Sequence, residues 1–274
     1  MELNQIIKNV NSQVSQLSNY ERLTDIYSGN LIEYVKAELS KEMSAASFAV
    51  ASQRIASINL FERIVNKLSK VYSDTPNRQT PDEKDQELLN QYVQDIDAQD
   101  VMSQAEILLN MNKTFALEPY LDNGTFKVRV LAPYEFTVLS DDAKNPKKIT
   151  HFVKFMGQTK SKSNKTVNVY WIYTNEEFII ADSDGNILDA QLNPYGVIPF
   201  VYVNASRFKL KPKPDNDSYN NSILIPKLLT DLNYAVQYQS HSIMYGIDLD
   251  ASNLKGNPDS FWSIQSSEGE NKKP

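Results

Sequence analysis

The chain contains no cysteine, which excludes a disulfide framework and any thiolate-ligated metal site. Glycine is scarce, 8 in 274 residues, and the spacing Gly-x-Gly does not occur. A dinucleotide-binding turn is therefore excluded. No glycine pair precedes Lys-Ser or Lys-Thr as in a phosphate-cradling loop, so the simplest route to a nucleotide-driven motor is closed as well. Histidine is limited to His151 and His241. Neither lies in a nucleophile motif, and each reads as a hydrogen-bonded structural residue. No run approaches the ~18 consecutive apolar residues of a membrane span. The start, Met1-Glu2-Leu3-Asn4-Gln5, lacks the basic-then-apolar layout of a signal peptide. These absences are compatible with a reducing, intracellular setting. The net charge of −6 opposes gripping nucleic acid through an overall field.

What is present is apolar periodicity. Leu3, Ile6, Ile7, Val10, Val14 and Leu17 share one helical face over residues 2–18. Helical patterns recur from Tyr20 to Leu39 and from Ser44 to Val71. Within the latter, Ile55, Ile58, Phe61, Ile64, Val65, Leu68 and Val71 predict one buried stripe. Its polar face carries Arg54, Arg63, Lys67 and Lys70. This helix is expected to stop near Tyr72–Thr75, because Pro76 biases its predecessor away from helix. Thr80 as cap, Pro81 in first position and Glu83 closing a capping box predict the next start. Its stripe is Leu88, Leu89, Tyr92, Val93 and Ile96, and the polar patch Asp95–Asp100 is expected to bend or break it. Val101, Ala105, Leu108 and Leu109 then resume the period.

The character changes at Thr114. Alternating or apolar stretches at 126–131, 135–139, 149–156, 167–173, 178–181, 187–190 and 198–203 predict strands. Turn residues between them predict an antiparallel region. The fold class is thus α+β, with a helical region over 1–113 and an antiparallel β region over 114–205. A basic, proline-containing linker spans 206–221, a long helix 222–245 and a short turn-rich tail 246–274. Fifteen tyrosines suit packed surfaces and interfaces.

Acidic clusters offer little chemistry. Asp182-Ser183-Asp184-Gly185-Asn186 superficially suggests a calcium loop but lacks Gly at the sixth and Glu at the twelfth position. It reads as a hairpin turn. Asp141-Asp142, followed by Lys144, Lys147 and Lys148, reads as a solvated loop, and Asp248-Leu249-Asp250 is a bare Asp-x-Asp. No catalytic, cofactor-binding or metal residue is assigned. Basic residues gather at Lys160, Lys162 and Lys165 in an expected hairpin tip, and at Arg207, Lys209, Lys211 and Lys213. In an extended segment that second alternation points charge to one side, giving either a soluble linker or contacts to DNA phosphates. Phe261 and Trp262 are candidate anchors for a docking partner.

The wording of residues 54–78 carries a resemblance. Arg54, then Ile58-Asn59-Leu60-Phe61, Arg63-Ile64-Val65-Asn66-Lys67-Leu68, Val71-Tyr72 and Pro76-Asn77-Arg78 is similar to the N-terminal part of tailed-bacteriophage portal proteins. Tyr27 and Gly29 upstream, and Asn193-Pro194-Tyr195-Gly196-Val197-Ile198-Pro199-Phe200 downstream, fit in the same order. The resemblance covers roughly residues 20–245. It implies a structural, non-enzymatic ring of about twelve copies at one capsid vertex, a conduit for DNA packaging and ejection. The terminase large subunit and head-completion or adaptor proteins would dock on it. It would also contact the major capsid protein and let double-stranded DNA pass without sequence recognition. The location implied is the virion, reached by assembly in the host cytoplasm, with no cofactor and no membrane.

By that analogy residues 1–205 form the wing, Ser222–Tyr245 begins the stem, and 246–274 is an incomplete clip. Phe61, Ile64, Leu68 and Tyr72 are the expected subunit-packing residues. Portal chains generally continue into a second stem helix, a channel loop and a crown, so this chain is expected to assemble poorly by itself. The alternatives from the same residues are a metal-dependent phage enzyme acting on DNA, with Asp141, Asp142, Glu176 or Asp182 converging, and another phage neck or scaffold protein.

Overall fold

The computed structural model describes residues 1–160, 164–206, 208–240, 245–247 and 262–264. The first helix, α1 (Leu3–Asp25), runs through the point where two helices were expected. It ends in a π-turn at Ile26–Asn30, where Gly29 takes φ +102°, a conformation a side chain would oppose. Beyond it come α2 (Leu31–Glu42) and α3 (Ala45–Ala51). The helix expected over 44–71 is broken. After an irregular stretch the chain restarts only at α4 (Leu60–Leu68), leaving Ile55 and Ile58 outside any helix. The restart is set by Asn59, whose side-chain oxygen accepts from the Glu62 amide at 3.1 Å while its amide donates to the Ile26 carbonyl at 2.7 Å.

The next helix, α5 (Glu83–Asp95), starts from Asp82, whose carboxylate accepts from the Lys84 amide at 2.8 Å. Thr80 therefore does not cap it; its hydroxyl donates to the Asp82 carbonyl at 3.1 Å. The patch after Asp95 is a full break, with Asp97 at φ +50°, before α6 (Ala98–Asn112).

Two antiparallel sheets follow. One contains β1 (Thr114–Asp122), β2 (Thr125–Leu131) and β8 (Val201–Asn204) in the order β2-β1-β8. The other is a meander of β3 (Phe136–Leu139), β4 (His151–Lys160), β5 (Thr166–Tyr173), β6 (Glu177–Asp182) and β7 (Ile187–Leu192). Strand β1 was not anticipated, because Pro119 interrupts its pattern. It is tolerated because β8 pairs only with Thr114–Leu117, so no partner on that side needs the missing amide.

Two apolar clusters hold these layers. Ile6, Ile7 and Val10 of α1 pack on Leu139, Val153, Tyr170, Ile172 and Ala181 of the meander. Ala116, Leu131, Phe136, Val138 and Phe152 form the second, with Phe200, Tyr202 and Leu210 against it. Phe152 stacks between Phe136 at 5.0 Å and Phe200 at 4.0 Å. Helix α1 and the meander thus share a cluster across residue 113, because α1 covers the sheet.

The chain separates into two compact units, Met1–Asn30 with Asn59–Asn220, and Leu31–Ile58 with Asn221–Pro274. The stretch expected as a linker after residue 205 is packed: Leu210 joins the core, and Pro212 and Pro214 are buried. Helix α7 (Asn216–Ser240) begins earlier than expected, since Asp215 accepts from the amide and hydroxyl of Ser218. In the second unit Lys227 pairs with Glu42 at 2.6 Å, and the Thr230 hydroxyl accepts from the Ala56 amide at 3.1 Å. There β9 (Tyr245–Ile247) pairs in parallel with β10 (Trp262–Ile264).

Candidate interaction surfaces

Helix α4 is amphipathic in sequence but only partly covered. Phe61 and Val65 are buried, whereas Ile64, Leu68 and Val71 are 56, 59 and 76% exposed. The stripe expected to be wholly buried is therefore split: one edge seats the helix and the other faces outward. Tyr72 is half-buried, its carbonyl taken by the side chains of Gln99 and Ser103 and its amide by Glu106 at 3.1 Å. Of the four residues expected to pack between subunits, Ile64 and Leu68 present an open face, Phe61 belongs to the protein's own interior, and Tyr72 is tied to α6.

Helix α7 repeats the theme in the second unit. Ser222, Ile223 and Thr230 are buried, while Leu224, Leu228, Leu232 and Val236 are 46, 55, 59 and 53% exposed. Four-residue spacing makes these a single ridge, the kind that fills a groove on a neighbouring helix.

The basic segment does not present its charges to one side. Lys209 and Lys213 are exposed. Lys211 turns inward, its ammonium donating to the Phe136 carbonyl at 2.9 Å and the Pro133 carbonyl at 3.2 Å. The rings of Tyr20 and Phe136 lie 5.5 and 5.4 Å from it. Burial pushes this ammonium down to about 7. Tyr20 also donates to the Pro212 carbonyl, and burial raises its hydroxyl far above the usual range. An ammonium committed to two carbonyls cannot reach a DNA phosphate, so the expected set loses Lys211 for a packing reason. Arg207 and Phe261 lie outside the described residues, as do His241, Lys162, Asp248 and Asp250. Only the backbone of Trp262 is described, in its pairing with Tyr245.

The acidic candidates stay apart. Asp182 closes the hairpin between β6 and β7: it accepts from the amides of Asp184 and Asn186 at 3.0 and 2.9 Å and from the Asn186 side chain at 2.8 Å. Its burial works to raise the carboxyl, but these hydrogen bonds prevail and hold it below the ordinary value. Asp141 pairs with the Met1 ammonium at 2.9 Å, which with a hydrogen bond to Thr150 lowers it to about 2. Asp142 accepts from the amides of Lys144 and Asn145. His151, whose ring nitrogen lies 2.9 Å from the Thr150 hydroxyl, is pushed below its usual range by burial. Among the described residues no group of three His, Asp or Glu side chains could hold a metal ion.

Two features escaped the sequence reading. Lys154 and Glu118, 6 and 12% exposed, form an ion pair at 2.7 Å, with Arg129 also on Glu118. The members lie far apart in sequence, so only the β1–β4 juxtaposition reveals them. Beside them a groove of about 410 Å³ is lined by Tyr120, Leu121, Phe126, Tyr195, Val197 and Phe200. Its wall is shaped by Asn193, whose amide donates to the Thr174 and Val197 carbonyls at 2.7 and 2.8 Å. The Asn-Pro-Tyr-Gly wording is thus a turn staple. The Tyr27 wording is also structural, as its hydroxyl donates to the Asn66 side chain at 2.7 Å.

No protein-family model matches the chain, and no curated protein matches it.

Proposed function

We propose that the chain is a structural subunit of a ring at one capsid vertex, of the kind formed by the portal proteins its sequence resembles. The observation that carries this reading is the exposed ridge Leu224, Leu228, Leu232 and Val236 on α7. A contiguous line of exposed apolar side chains marks an interaction surface, and its four-residue spacing suits a neighbouring helix. In a ring, the same helix of the next copy covers it. The outward edge of α4 supplies a second lateral contact, through Ile64 and Leu68.

In that role the ring is the conduit for DNA packaging and ejection, assembled in the host cytoplasm and retained in the virion. The terminase large subunit and head-completion proteins dock on it, and the major capsid protein surrounds it. Six net negative charges per copy, repeated round the ring, repel DNA phosphates and let the duplex slide. Exposed Lys209 and Lys213 provide local contacts only. The test is negative-stain electron microscopy of the purified protein at high concentration. Rings, or arcs of laterally packed copies with a common curvature, support the reading. Strict monomers, even when the chain is joined to any sequence that follows it in its reading frame and the concentration offsets its expected weak self-assembly, overturn it.

A further inference from the structure

The outward face of α4 is both apolar and basic. Leu60, Ile64 and Leu68 follow at four-residue spacing, 39, 56 and 59% exposed. Arg63 and Lys67, each one position before a stripe residue, lie along a single flank, with Lys70 just past the helix; all three are exposed. None of the three takes part in an ion pair among the described residues.

Helix α5 has the opposite sign. It has no buried residue. Leu88 and Tyr92, one turn apart, are 49 and 47% exposed. Asp85 and Asp95 lie three residues to either side of them on the same face, and Glu87 flanks it. Lys84 is the one cation of the helix itself, and the Lys127 ammonium donates to the Asp95 carbonyl at its end. Lys84 and the three carboxylates form no ion pair among the described residues. Neither face is self-complementary: two copies meeting α4 to α4 would set Arg63 and Lys67 against their own kind, and α5 to α5 would set carboxylate against carboxylate. Each face matches the other in apolar character and opposes it in charge.

We infer that the α4 face of one copy docks on the α5 face of the next, a head-to-tail contact. Such a contact joins two different patches, so it propagates from copy to copy and closes into a ring when the rotation permits. Opposite charge fixes which patches meet and suppresses the two like-with-like pairings. The inference rests on the ring reading above and names the surfaces that would build it.

The absence of native cysteine makes the test direct. Ile64→Cys and Leu88→Cys are prepared as separate proteins and mixed under mild oxidation. Expected is a mixed disulfide between positions 64 and 88 formed at least about fivefold faster than either homodisulfide. Arg63→Glu with Lys67→Glu should slow the mixed product by about threefold to tenfold, and Asp85→Lys with Glu87→Lys in the partner should restore it. Both cysteines replace exposed residues, and circular dichroism of each variant checks that it is folded. Faster 64–64 or 88–88 coupling, or mixed coupling no faster than that of an exposed control, Lys144→Cys, overturns the inference. Microscopy separates the two claims. Mixed disulfides without rings or arcs leave the contact standing and remove the ring; rings without mixed disulfides do the reverse.

Discussion

At neutral pH the ammonium of Lys211 sits near its own midpoint, because burial pushes it from 10.5 down to about 7. The unfolded chain binds that proton more tightly than the folded one. Between about pH 7 and 10.5 the unfolded state therefore carries more protons, and stability rises with pH through that window. Below pH 7 both states are charged and the cost of burying the ammonium is fully present. Lys211→Met removes the titration but also strips the Pro133 and Phe136 carbonyls of their donor. Its cost should be greater at pH 10, where the wild-type chain has gained stability, than at pH 6. Urea unfolding at both values checks this, and a cost independent of pH would sink the assignment. Sequence alternation could not foresee this residue. It places charges correctly on a free extended segment, but not on one drawn into a core by Leu210 and two prolines. Where a local hydrogen-bond pattern suffices, as at Asp182, residues were readable from the chain alone.

At the scale of elements, α4 offers a clean contrast. Phe61 is 8% exposed and Ile64 56%, though both belong to one periodic stripe. Phe61→Ala should cost about 3–5 kcal/mol of folding stability. Ile64→Asp should change it by less than ~0.5 kcal/mol while abolishing association. Thermal unfolding and light scattering on the same preparations separate the two effects. Helix α1 behaves as a conventional lid: Ile6→Ala should cost about 2–4 kcal/mol, since its side chain closes the cluster on the meander. A denaturation midpoint unchanged by that substitution would mean α1 does not seat there. Periodicity located both helices. It overran α4, because the break at residues 52–59 depends on Asn59 bonding to Ile26, more than thirty residues away. It missed β1, because whether Pro119 is acceptable depends on how far β8 extends.

For the whole molecule, the α+β class was readable, since helical and alternating periods occupy separate stretches. The division into units was not, because it depends on which distant stretches pack together. Net charge makes one prediction at this scale. With −6 overall and Lys211 withdrawn, the protein should bind double-stranded DNA more weakly than about 10 µM at physiological salt. Fluorescence anisotropy with a labelled duplex measures this, and submicromolar affinity would contradict a channel through which DNA slides.

The interleaving of the two units also sets an order of events during synthesis. Residues 31–58 leave the ribosome early, yet their partners begin at Asn221. By then every residue of the other unit has been made. The first unit can therefore mature with an unpaired excursion of its own chain still waiting, and the second closes only when α7 emerges. A released chain ending at Asn220 should leave residues 31–58 open to protease while the strands of the first unit are already protected.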